Sequence, residues 1–231
     1  MQIFSQPSKR SFSRGFTLIE MLVVMTIMLL ITGALLLRQS RFDSSTILRS
    51  LAYGVALSVR QAQVYGTSVV GTSTTAVACG SGFYSNGNCY AAGYGLYFSA
   101  ANPTGYVLFA DLDNNGQYSS NELVKTFNFS KGYSISDMCA VEAVTGYTDC
   151  WIAGTTPGLL TSAATLSIMF KRPNPDACFA TNAQTNTCSV GGSPFYSSAY
   201  VQIIAASDPT NTKRVTVTVP GEVSVCTTVG C

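Results

Sequence analysis

The chain has 231 residues, enough for a membrane element and one globular domain of ordinary size. Charged residues make up only 10% against 47% hydrophobic, well below the charged share of soluble domains. The absence of histidine excludes imidazole-base catalysis and His-ligated zinc. The net charge of +2 owes its sign to Lys9, Arg10 and Arg14; without them, ten basic residues face eleven acidic ones. No basic field remains to attract nucleic acid broadly.

Residues 1–15, MQIFSQPSKRSFSRG, read as a polar, basic processing segment lying outside the fold. An apolar run follows through Leu37, interrupted by one acid, Glu20. As a helix, its roughly 22 residues would rise ~33 Å, enough to cross a bilayer's hydrocarbon. A secretory signal would show a shorter apolar core ending in a small-residue cleavage site. Here the cleavable-looking junction, Gly15-Phe16, precedes the apolar run. A carboxylate inside a membrane helix costs a few kcal/mol unless paired, which marks Glu20 as functional.

Gly15-Phe16-Thr17-Leu18-Ile19-Glu20 resembles the prepilin signature of type IV pilins and type II secretion pseudopilins. The resemblance implies that prepilin peptidase cuts between Gly15 and Phe16 and that the new Phe16 amine is methylated. It also implies that Glu20 neutralises the Phe16 amine of a neighbouring subunit during assembly. The partners implied are other pilin or pseudopilin subunits, an inner-membrane assembly platform and a cytoplasmic ATPase. The implied location is a bacterial inner membrane crossed once, with the N-terminus cytoplasmic before processing. The head is then periplasmic or at the cell surface, in a filament. The leader cations fit that orientation.

Beyond Leu37, Ile47, Leu48, Leu51, Ala52, Val55, Ala56, Val59 and Ala62 recur at three- and four-residue steps, the face of an amphipathic helix. The helix should run to about Tyr65, where Gly66 can end it, with a kink or restart allowed at Asp43-Ser44-Ser45. The boundaries expected are a leader at 1–15, a helix at 16–66 that spans the membrane over 16–37, and a head at 67–231.

From Thr67 the period changes to short runs separated by turn residues. Strands are expected at Ser68–Thr72, Thr74–Cys79, Gly95–Ser99, Gly105–Asp111, Leu123–Ser130, Ser134–Cys139, Ala164–Lys171, Tyr200–Ala206, Lys213–Val219 and Val223–Cys226. The fold class is α+β and pilin-like. A long N-terminal helix, membrane-spanning in its first half, packs on a mainly antiparallel sheet with disulfide-stapled loops. The order of elements resembles GspH/FimT-type minor pseudopilins. Some such competence pilins bind DNA through a basic C-terminal tail, but Val219–Cys231 has no Lys or Arg, so nucleic acid is a poor partner.

Eight cysteines all lie beyond the apolar run and lack C-x-x-C spacing. Their clustering suggests four short loops, Cys79–Cys89, Cys139–Cys150, Cys178–Cys188 and Cys226–Cys231, although spacing alone leaves the connectivity open. Four bridges imply an oxidising compartment.

One constellation in the head carries chemistry. Asp111, Asp113, Asn115, Gly116 and Glu122 fit the D-x-[DN]-x-[DN]-G-x₅-E calcium-loop pattern. Calcium needs oxygen ligands at alternate residues, a glycine at the sharp turn and a distal Glu closing the shell. Asp111, Asp113, Asn115, the Gln117 carbonyl, Ser119 and Glu122 are the candidate Ca²⁺ ligands. Flanking strands rather than helices distinguish the stretch from an EF-hand. The commoner reading is a polar hairpin with a tight Asn-Asn-Gly turn, and both stay open. No other cofactor is indicated. Tyr84, Tyr90, Tyr94, Tyr97 and Tyr106 suit packing over a sheet better than a stacking platform.

Nothing in the chain offers a base–nucleophile pair, so an enzyme is not expected. The leading reading is a structural filament subunit, a minor pilin or pseudopilin. The alternative is a tip or competence pilin acting as an adhesin or DNA-uptake module.

Overall fold

A computed structural model describes residues 15–68, 92–130, 132–154, 164–182 and 195–226, with backbone alone for 37–43 and 174. The strands expected at 68–72 and 74–79, the Cys79–Cys89 loop, Tyr84 and Tyr90 lie largely or wholly outside these residues, as does the leader before Gly15. The chain divides into two compact units, Met1–Asp43 and Ser44–Cys231. One helix, α1 (Leu18–Thr67), contributes to both. Its backbone is helical through Asp43-Ser44-Ser45, so no restart occurs there.

In the second unit, Leu48, Ala52, Val55, Val59 and Ala62 are at most 1% exposed, and their spacing puts them on one face. Ile47, expected on that face, is 40% exposed because it lies a quarter-turn round from Leu48. Gly66 does not end α1. A side chain there would run into the Phe170 carbonyl, so the glycine lets the last turn lie directly on a strand backbone. Ser58, also buried, accepts or donates a 2.9 Å hydrogen bond with the Tyr106 hydroxyl, which ties the helix to the sheet beneath it.

The head contains two five-stranded antiparallel sheets rather than the single sheet expected. The first has the order β3 (Leu123–Asn128), β2 (Gly105–Asp111), β1 (Gly93–Ser99), β6 (Thr165–Lys171), β7 (Asn174–Thr181). The second has the order β10 (Val223–Cys226), β9 (Asp208–Thr218), β8 (Tyr196–Ala205), β4 (Tyr133–Glu142), β5 (Thr148–Ile152). Leu96 and Phe98 of β1, Leu166, Ile168 and Phe170 of β6, and Val201, Ile203, Val215 and Val217 of β8 and β9 join the helix face in one core. Alternation in β9 turns Val215 and Val217 inward, as the K-R-V-T-V-T-V pattern predicts.

The same alternation carries Lys213 inward, leaving it 5% exposed. Burial, and then the neighbouring Arg49 guanidinium, lower its ammonium pKa. The sheets are tied by the Ala177 amide donating to the Val219 carbonyl (2.6 Å) and the Ile135 amide to the Pro103 carbonyl (2.8 Å). Tyr196 bridges them too: its hydroxyl bonds Thr181 (3.1 Å) and donates to Asp149 (3.0 Å).

The second cysteine loop is a strand pair. Cys139 and Cys150 face each other in the β4–β5 register and are disulfide-bonded with Cα atoms 4.1 Å apart. Cys178 and Cys226 each take part in a disulfide, and the cysteines expected to pair with them, Cys188 and Cys231, lie outside the described residues, as do Cys79 and Cys89.

Candidate functional site

Two sequence-predicted sites fall on described residues. At the N-terminus, Gly15, Phe16 and Thr17 precede the helix in irregular backbone, and Phe16 is 77% exposed. Thr17 caps the helix: its hydroxyl oxygen accepts the Glu20 amide (3.3 Å) and its carbonyl accepts the Met21 amide (3.2 Å). Thr17 was not singled out from sequence, although Thr-x-x-Glu before an apolar run is a helix-start signal. Satisfying an otherwise orphan amide fixes where α1 begins and sets Glu20 in its first turn.

Leu18–Leu36 then forms a 19-residue stretch with mean hydropathy 2.4 and no part buried within the chain. Leu18, Leu29 and Leu30 are each more than 70% exposed. An apolar helix with no stripe covered lacks the polar face of a soluble surface helix, and its length and composition meet the requirement for a membrane span.

The second site is the loop between β2 and β3. Those strands replace the helices an EF-hand would place there, as expected. Asp111 ends β2 and Glu122 closes a 3-10 turn at Ser120–Glu122 before β3. They are 2% and 1% exposed. One carboxylate oxygen from each of Asp111, Asp113 and Glu122 lies within 4.8 Å of the others.

The loop wraps its amides around these acids. Asp111 accepts from the amides of Asn115 (3.1 Å) and Gly116 (3.2 Å). Glu122 accepts from those of Leu112 and Ser119, both 2.8 Å. Asn114 (φ 58°) and Gly116 (φ 79°) take the left-handed backbone that this curl needs.

Of the six candidate ligands, the three carboxylates converge. Asn115 acts as a brace, its amide nitrogen donating to Asp113 (2.8 Å) and its oxygen accepting the Gln117 amide (2.6 Å). The Gln117 side chain donates to the Thr181 carbonyl (3.2 Å), and Ser119 contributes its amide to Glu122. Outside the loop, Lys171 anchors the turn by donating to the Asn114 side chain (2.6 Å). Sequence reasoning had no signal for that contact, which spans 57 residues.

Burial, with the Glu122 charge beside it, pushes the Asp111 carboxyl up to about 7. Burial also raises Glu122. Amide donors alone do not offset crowded, desolvated carboxylates, so the loop gains from a proton or from a hard cation. Three carboxylates gathered this closely could hold a metal ion, and oxygen donors of this kind are those a hard cation such as Ca²⁺ takes.

The tyrosines are packing elements. Tyr106 stacks on Phe127 at 4.8 Å, Tyr94 meets Tyr65 edge-on at 5.4 Å and Tyr97 lies on Tyr118 at 5.0 Å. Tyr94 and Tyr106 are buried and present no ring to a ligand.

Comparison with curated proteins and with solved structures finds no match. Residues 10–36 match the family description "prokaryotic N-terminal methylation motif". The match covers Gly15, Phe16 and Glu20 together with the apolar stretch through Leu36, so the chain carries a type IV pilin-like prepilin signature at the start of α1.

Proposed function

We propose that this chain is a structural subunit, a minor pilin or pseudopilin, of a type IV pilus-like or type II secretion filament. One observation carries the reading: a methylation motif leads directly into a 19-residue apolar helix with no part buried within its own chain. Prepilin peptidase removes residues 1–15 at Gly15-Phe16. The Phe16 amine of one subunit then pairs with Glu20 of another. A cation and an anion in an apolar bundle each need a partner, and assembly supplies both. The chain works by packing, not turnover.

Residues 16–66 form the assembly helix and 67–231 the head, which stands outside the inner membrane where its disulfides persist. The helix-then-sheet order supports the GspH/FimT-type likeness. Within the head, Asp111, Asp113 and Glu122 hold Ca²⁺, with Asn115, Gln117 and Ser119 shaping the loop. The ion supplies charge neutralisation that stiffens the β2–β3 connection.

Intact mass tests the reading. Coexpression with prepilin peptidase should remove fifteen residues and add one methyl group, and Gly15→Ala should block both. An unprocessed wild-type chain beside an active peptidase refutes it. Binding of the full-length protein to glycan arrays or to DNA would favour the tip-pilin alternative.

A further inference from the structure

Among the described residues of the strands and their connections, the exposed large hydrophobics are Val144 (90%), Tyr147 (51%), Ile152 (45%) and Phe195 (36%). All four lie on or beside the β4–β5 hairpin. Phe195 joins its tip through the Ala143 amide, which donates to the Phe195 carbonyl (2.8 Å). The hairpin is braced by Cys139–Cys150. It is also acidic: residues 132–170 hold Asp137, Glu142 and Asp149 and no Lys or Arg. β5 is an edge strand without the lysine or proline that usually blunts an edge.

At the other edge of the same sheet, β10 and α1 border an open groove. Tyr53, Ala56, Leu57 and Arg60 line one side, Val223 and Val225 the other, with a volume of about 200 Å³. Leu57 is 70% exposed and Tyr53 54%. Arg60 spends two donors on the Gly221 carbonyl (3.1 Å) and the Gln63 side chain (2.7 Å). It has no carboxylate partner among the described residues. The groove is therefore apolar with a cation at its rim, the complement of an apolar, acidic knob.

One chain cannot join the two surfaces. They lie at opposite ends of the order β10-β9-β8-β4-β5, four strand spacings or roughly 19 Å apart. Two different complementary patches on one subunit make a heterologous contact, the kind that propagates head to tail. We propose that the β4–β5 hairpin of one copy docks in the α1–β10 groove of a second copy. Val144 and Tyr147 enter beside Leu57, and Glu142 faces Arg60. This names the contact between the globular heads of neighbouring filament subunits proposed above and rests on that reading.

The test is photo-crosslinking of the full-length chain in membranes containing prepilin peptidase, with p-benzoylphenylalanine replacing Val144. The expected product is a dimer-sized adduct whose joined peptide contains residues 53–60 or 223–226. Leu57→Glu, at an exposed position that folding tolerates, should cut its yield about tenfold or more by placing a carboxylate against an acidic knob. Arg60→Glu should do the same, and adding Glu142→Lys to that chain should restore the adduct. Adducts mapping elsewhere on the second copy, adducts to another protein only, or no dimer in a chain shown by mass to be processed would each overturn the docking. All three leave the filament reading standing. Absent processing would instead strike at the filament reading, while the mapped adduct still decides the docking.

Discussion

Replacing Asp111 by asparagine takes one of two buried carboxylates out of the β2–β3 loop while keeping its size, and the consequence for stability has a definite sign. The carboxyl titrates near 3.8 when free and at about 7 when folded, so the native state holds the proton more tightly. An acid whose folded pKa is raised contributes stability that is present below its unfolded pKa and is lost as pH rises through the folded one. Each pH unit across that window is worth ~1.4 kcal/mol, so the metal-free protein should lose up to ~4 kcal/mol between about pH 4 and pH 7. Glu122 moves in the same direction, and the two share the effect rather than adding to it.

The assay is urea unfolding of the full-length chain in detergent micelles, followed by the single tryptophan. Trp151 packs against the head core from β5. In chelator, wild type should be less stable at pH 7.5 than at pH 5, whereas Asp111→Asn should show a much flatter slope. Calcium at a hundred times its dissociation constant should return ~2.7 kcal/mol to wild type at pH 7.5 and much less to the variant. Equal pH slopes in the two proteins, or stability that rises with pH only in wild type, would refute the account of the loop.

The helix-to-sheet contacts make further expectations. Gly66→Ala forces a methyl group into the Phe170 carbonyl and should cost ~1–3 kcal/mol, read as a lower Tm. Ser58→Ala strands the buried Tyr106 hydroxyl at ~1–2 kcal/mol. Adding Tyr106→Phe should recover part of that, and a double-mutant cycle measures the coupling. Replacing Cys139 and Cys150 together with alanine opens a bridge across 11 residues and should cost ~2–3 kcal/mol, measured by urea denaturation. Lys213→Met keeps the stem's packing and removes a buried cation beside Arg49. It should unfold at higher denaturant than wild type, since a desolvated ammonium beside a second cation is a net cost.

Local chemistry was legible where the signal was local. Glycine, phenylalanine and glutamate at fixed offsets before an apolar run identify the motif at 10–36, because the residues that carry it lie within a few positions of one another in the chain. The apolar steps from Leu48 to Ala62 and the alternation in β9 likewise announce a buried face, since side-chain direction follows from backbone period alone. β2 and β10 match the expected bounds residue for residue, as both are compact apolar or β-branched runs. The D-x-D-x-N-G-x₅-E spacing placed Asp111, Asp113 and Glu122 on one loop for the same reason.

Only the tertiary structure decided the rest. β5, T-D-C-W-I, is too short and too polar to read as a strand; pairing with β4 through the Cys139–Cys150 register makes it one. β7 opens N-P-D, residues that argue against a strand, and is tolerated because it lies at a sheet edge. The division into two sheets depends on β1 choosing β6 and β4 choosing β8 across many intervening residues, a selection made by shared core burial rather than by local preference. The knob and groove at the two ends of one sheet, and the burial that makes Asp111 titrate near neutrality, arise from the same non-local packing. No period in the sequence records it.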